Sequence, residues 1–240
     1  MDLSRVSIGL PGATRHDTLA ALAPRIEAAG FRGLWLNDTP DGDSLAGLAV
    51  AARATSTLKL GTGVIPLDRR PAPAILAALG DLPVDRLTLG VGVGAARHPL
   101  ALTESAVEQL RAGTSARVAV GALGPRMREL AGRVADAVIL NWLTPEAAAA
   151  QRGLARSVLY ARTALARDAL PALRAEADRY GSYPAYAANF ARIAATPLDT
   201  TITSAERIPV YLDVVDELVL RVITREPTLA EYERFLATLL

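Results

Sequence analysis

The chain has 240 residues, 51% of them hydrophobic, and carries 26 Lys+Arg against 25 Asp+Glu. That length and apolar content suit one α/β barrel domain spanning residues 1–240, with a substantial core. The balanced charge provides no field for nucleic acid or an anionic membrane surface, so neither is expected as a partner.

Residues 5–10 (RVSIGL) read as a short apolar first strand. Over 14–29, Leu19, Leu22 and Ile26 fall at helical spacing before Gly30, a helix-ending residue. Gly33–Asn37 is the second strand and Ser44–Ala54 the second helix. The third strand covers 58–64 (LKLGTGV), and the helix after it covers 73–79 with a proline at its start. The fourth strand is 86–93 (RLTLGVGV), followed by a helix over 99–110. Arg117–Gly121 is the fifth strand, and Pro125 opens its helix, 125–133, at the first helical position. The sixth strand is 136–142 (DAVILNW). Thr144 then caps a helix with Pro145 and Glu146 just inside it. Residues 157–163 form the seventh strand. Residues 170–195 read as helical with a break at 181–184. The eighth strand is 217–223 (ELVLRVI), and 228–240 is a terminal helix. Eight strand–helix units in sequence imply a parallel sheet and favour a closed (β/α)8 TIM barrel over an open doubly wound sheet. The gap between strands seven and eight holds more helix than one crossover needs, which predicts a small helical insertion over the barrel mouth.

Several chemistries are excluded. Cysteine is absent and the only histidines are His16 and His98. Disulfides, thiol chemistry and a multi-histidine metal site are therefore not expected. Lys59, the only lysine, falls at a strand start, the wrong end of a barrel for Schiff-base catalysis. Borrowed cofactor chemistry is the expectation. A secretory leader and a membrane span are not expected either, and the lack of cysteine fits a cytoplasmic setting.

Barrel sites form where strands end and βα loops begin. After strand two come Asn37 and Asp38. Asp38 is the best-placed acid, with a helix cap as its alternative role. After strand three come Thr62, Gly63 and Val64. On strand four, Gly90, Gly92 and Gly94 alternate on one face and leave room for a flat ring or for barrel packing. After strand five, Gly121-Ala122-Leu123-Gly124-Pro125-Arg126-Met127 combines glycines, a helix N-terminus and a cation. That combination suits a phosphate, with a plain tight turn as the alternative. After strand six come Asn141 and Trp142; the indole would stack on a cofactor or pack under a loop. The arginines scattered between 152 and 179 read as solvated helix faces.

These segments resemble the bacterial luciferase-like family of flavin- and deazaflavin-dependent oxidoreductases. The resemblance runs through GFRGLWLND, ATSTLKLGTGVIPL, DRLTLGVGVG, GALGPRMRELAGRVADAVILNWLTPE and VDELVLRVI. The GPRM…LAG…ADA…LNWLTPE run is most similar to the branch that uses coenzyme F420, with FMN as the alternative. The resemblance implies a (β/α)8 fold with the cofactor at the C-terminal mouth. It implies that residues 121–127 hold the cofactor phosphate and that Thr62, Gly63 and Val64 back the ring, often through a non-proline cis peptide. It also implies hydride transfer to or from a small organic substrate. Where members often carry a histidine beside the acid after strand two, this chain has Asn37 and Asp38. Its strand 4–5 connection, from Gly94 to Arg117, is short, so the 170–195 segment and a homodimer partner together are expected to supply cover. Two further readings follow: an FMN-dependent monooxygenase or reductase, and a non-catalytic member that binds flavin or serves as a partner subunit.

Overall fold

In the computed structural model, which describes residues 2–94, 96–153 and 155–240, the eight predicted strands all form and pair in parallel. They are β1 (Val6–Pro11), β2 (Gly33–Asn37), β3 (Lys59–Thr62), β4 (Leu87–Gly92), β5 (Arg117–Gly121), β6 (Ala137–Asn141), β7 (Arg156–Thr163) and β8 (Glu217–Val222). Ile8 faces Leu34 of β2 on one side and Leu220 of β8 on the other. Leu60 of β3 pairs with Leu87 of β4. The remaining neighbours pair in order, so the sheet closes into the expected (β/α)8 barrel.

The strands feed helices α1 (His16–Ala28), α2 (Ser44–Ala54), α3 (Ala72–Ala77), α4 (Pro99–Gly113), α5 (Pro125–Val134) and α6 (Pro145–Ala149). After β7 come α7 (Leu170–Gly181), α8 (Pro184–Arg192) and α9 (Ile208–Leu212), and the chain ends with α10 (Leu229–Ala237). Asp43 caps α2 by accepting from the amides of Leu45 and Ala46, and Thr144 caps α6 through the amide of Ala147. The 170–195 segment is two helices broken at Ser182 and Tyr183, as its proline and glycine indicated.

Several boundaries differ from the sequence expectation, and one element was not expected. The third strand stops at Thr62 and resumes only as the pair Ile65–Pro66, because the Gly63–Val64 peptide between them is cis. Helix α4 runs three residues beyond 110, to Gly113. The short α9, which periodicity did not reveal, brings the chain back to β8.

The pleat decides what each strand offers. Alternate residues point inward, and the apolar middle of the barrel holds Trp35, Ala119, Ala137, Ile139, Val158, Tyr160 and Val219. The other parity builds the larger core beneath the helices, including Leu34, Leu36, Leu218 and Leu220. One step toward the strand starts, buried Glu217 accepts from Ser7 Oγ and Trp35 Nε1 and pairs with Arg32 and Arg156. This network closes the N-terminal end. One step toward the strand ends, the same parity presents Asn37, Gly92, Gly121, Asn141, Arg162 and Arg221 to the mouth.

Candidate active site at the barrel mouth

The C-terminal ends of the strands surround a cavity of about 370 Å³. Asn37, Asp38 and Thr39 line it from β2 and its loop, Gly63 and Val64 from the β3 end, and Gly92, Val93 and Gly94 from β4. Gly121, Ala122 and Leu123 follow from β5, Asn141 from β6, Tyr160 and Arg162 from β7, and Arg221 from β8. Glu176, Arg179 and Tyr180 of α7 and Tyr186 of α8 form the wall above. The insertion therefore reaches over the mouth.

Asn37 is fixed by donating its side-chain N–H to the carbonyl of Gly63, and its buried Oδ1 is left without a partner. The Tyr160 hydroxyl is equally buried and unpartnered, as is that of Thr39. Burial pushes the Tyr160 phenol well above its ordinary pKa, so it stays protonated and can donate. A side chain at Gly63 would place its Cβ 1.9 Å from that hydroxyl, so only glycine lets the two meet.

Asp38 lies at the cavity edge with both oxygens engaged. Oδ2 accepts from the Ser44 amide and hydroxyl, and Arg69 and Arg70 approach to 3.4 and 3.6 Å. The acid thus anchors the start of α2, the capping role weighed against catalysis.

Thr62 does not reach the cavity; it is fully buried and ties β3 to β4 through Gly90. Of the 121–127 segment, the first three residues line the mouth. Gly124 is the N-cap of α5 with no side chain capping the helix, and a Cβ there would meet no atom within 4 Å. Arg126 and Met127 face a separate outer groove with Arg97, His98 and Leu100. Trp142 packs under the insertion against Phe190 and Tyr180, and so takes the second of its two expected roles.

The residues missed from sequence are Arg162, Arg221, Glu176 and the tyrosines. Arg162 is 4% exposed, not part of a solvated helix face. Its Nε pairs with Glu176 at 3.0 Å, Nη1 donates to Asn141 Oδ1, and its guanidinium lies 4.2 Å from the Trp142 ring centre. Burial works against the Glu176 charge, but Arg221 and Arg162 outweigh it and hold the carboxyl below its usual range. Arginines placed in the inward parity near the ends of two apolar strands were the signal available. Among the described residues, no group of three His, Asp or Glu is arranged to hold a metal ion, and no helix is long and apolar enough to cross a membrane.

Residues 1–115 match the luciferase-like monooxygenase family model. The sequence is 30% identical over 166 residues to 5,10-methylenetetrahydromethanopterin reductase of Methanolobus tindarius, covering 53% of this chain and 51% of that protein. Over residues 1–115 the chain is similar to luciferase-like monooxygenases. It thus spans about half the length of that curated relative. Its fold is similar to an F420-dependent secondary alcohol dehydrogenase bound to an F420–acetone adduct, with TM-score 0.72 and 14% identity, covering 98% of this chain and 99% of the other. It is also similar to the oxygenating constituent of 3,6-diketocamphane monooxygenase from Pseudomonas putida in complex with FMN, with TM-score 0.67 and 12% identity over 95% of each chain. At such identities these two likenesses concern the fold alone.

Proposed function

We propose that this luciferase-like chain is an oxidoreductase that holds a deazaflavin or flavin cofactor in the barrel mouth and acts on a small organic molecule. The observation that carries the reading is the pair of buried, unpartnered polar atoms in residues that line that cavity, Asn37 Oδ1 and Tyr160 OH. Native interiors rarely leave such atoms unsatisfied, and a bound ring with a hydrogen-bonding edge beside the molecule acted on would satisfy them. The residues present fit such a group. Gly63 and Val64 form one wall, with the Val64 side chain seated against the glycine positions 92 and 121, and the uncapped start of α5 suits a phosphate.

When bound, the cofactor supplies hydride transfer, which no side chain here offers. The protein's own tasks are to position and to exclude water. Asn37, with its N–H committed to Gly63, offers an acceptor to the ring. Tyr160 offers a donor to the molecule acted on, and Arg162 and Glu176 hold the wall in place. We assign Asp38 to supporting this arrangement from the α2 side.

Coenzyme F420 is our preferred cofactor, supported by the structural neighbour whose name carries it; FMN is the second reading, supported by the FMN-bound neighbour. Fluorescence titration of the purified protein with both decides between them. Tighter F420 binding supports the first, tighter FMN binding the second, and binding of neither overturns the oxidoreductase reading. The homodimer expected from the short strand 4–5 connection belongs to the same proposal and is tested by sedimentation.

A further inference from the structure

The charges around the mouth do not balance. β7 and β8 run parallel with Arg162 opposite Arg221, so two guanidinium groups stand side by side on the inward parity. One carboxylate, Glu176, serves that height of the barrel, and it sits 3.0 Å from Arg162. Among the described residues, Arg221 makes no ion pair within 4 Å; its hydrogen bond runs from Nη1 to the Val222 carbonyl at 2.6 Å. Arg179 adds a third cation from α7, 4.0 Å from the same Glu176. Asp38 does not help, because Arg69 and Arg70 already surround it. A cation set in a cavity wall with a like charge for a neighbour is costly unless an anion arrives.

We propose that Arg221 is an anion anchor, and that the molecule this site acts on carries a carboxylate that docks beside Arg221 and the Tyr160 hydroxyl. The two donors belong together. Tyr160 and Arg221 lie on adjacent strands and both line the cavity. The Tyr160 hydroxyl is buried without a partner, which is a second, independent sign of a missing acceptor. A carboxylate offers two oxygens, one for the guanidinium fork and one for the phenol. The cofactor phosphate does not compete for this place. Its proposed cradle is at the end of β5, three strands around the barrel from β8. The inference rests on the cofactor-holding reading above and narrows its substrate class to small organic acids.

The test uses benzoate and its neutral counterpart benzamide, titrated calorimetrically into the full chain with and without saturating cofactor. Benzoate should bind and benzamide should not. Arg221→Met should weaken benzoate about ten- to hundredfold, the usual worth of a charged hydrogen bond, while leaving cofactor affinity within about twofold. Arg221→Lys, which keeps the charge and loses the fork, should fall between. Should Arg221→Met not fold, Tyr160→Phe carries the test, with a loss of about three- to tenfold. Equal binding of benzamide, unaltered benzoate binding in the folded variants, or loss of benzoate binding at saturating cofactor would each overturn the proposal. The last of these would mean that the cofactor itself brings the anion. Failure of the wild-type chain to bind either cofactor overturns the oxidoreductase reading instead, and benzoate binding without cofactor still decides the role of Arg221.

Discussion

Gly124→Val separates folding from binding at the proposed phosphate cradle. Gly124 has φ −97° and ψ 161°, an extended conformation that valine adopts readily, and a Cβ there meets nothing within 4 Å. No contact is lost and no strain is introduced, so stability should stay within about 0.5 kcal/mol of wild type. The branched side chain would nonetheless stand beside the first amides of α5, which no side chain caps. A phosphate held there gains hydrogen bonds to a charged group worth roughly 1.5–3 kcal/mol each. Blocking one of them should weaken cofactor binding about ten- to hundredfold. Urea denaturation reads the first quantity, and fluorescence titration with F420 and FMN reads the second. A variant that unfolds like wild type and binds cofactor within about twofold refutes the cradle at α5.

Three other substitutions probe the mouth. Gly63→Ala sets a Cβ 1.9 Å from the hydroxyl and 2.2 Å from Cζ of Tyr160, which is only 3% exposed. It should cost about 1–3 kcal/mol in urea unfolding, most of it recovered when Tyr160→Ala is the background; equal cost in both backgrounds speaks against the clash. Asp38→Asn should lower stability by about 1 kcal/mol through weaker ties to Ser44, Arg69 and Arg70, with cofactor binding kept. Complete loss of turnover in a folded, cofactor-binding variant would return Asp38 to a catalytic role. For Glu176, the folded carboxyl titrates below its ordinary 4.5, so its charged pairing stabilises the protein above that pH and is lost as pH falls through the lower folded value. Wild type and Glu176→Gln should therefore differ in denaturation midpoint at neutral pH and converge in acid. A gap that stays constant down to strong acid contradicts the pairing.

The barrel was legible because each strand carries its own signal. Runs such as LKLG and AVILN alternate with helices that open on proline or a capping side chain, and closure follows from counting eight such units. The mouth was legible only where a strand end is marked by glycine or asparagine, as at Asn37, Gly63 and Gly121. Arg162 and Arg221 were missed although their strands were found, because an arginine inside an apolar strand looks like an edge until inward parity is assigned from both ends. With Val158 and Tyr160 inside, Arg162 must be inside too, and Val219 places Arg221 the same way. The wall was not legible. Tyr180, Tyr183 and Tyr186 recur at intervals of three, but which way that stripe faces is decided by contacts with Trp142 and Arg162 far away in sequence. Trp142 left two roles open for the same reason.

The wall and the cradle form one unit. Asn189 of α8, fully buried, donates to the carbonyl of Trp142 and accepts at its Oδ1 from Arg128 and Arg192, each at 3.2 Å. Arg128 belongs to α5, is 4% exposed, and reaches back to the Ala122 carbonyl in the loop after β5. No carboxylate pairs with it among the described residues; burial pushes its pKa down, and nearby Arg192 adds to the shift. A buried guanidinium held only by a carbonyl and an amide would lose its Asn189 partner if α8 swung away. The lower end of the insertion is thus pinned to the loop that begins α5. Tyr183, nearly half exposed at the break between α7 and α8, carries no such tie. Any opening of the mouth is therefore expected at that break rather than where α8 meets α5.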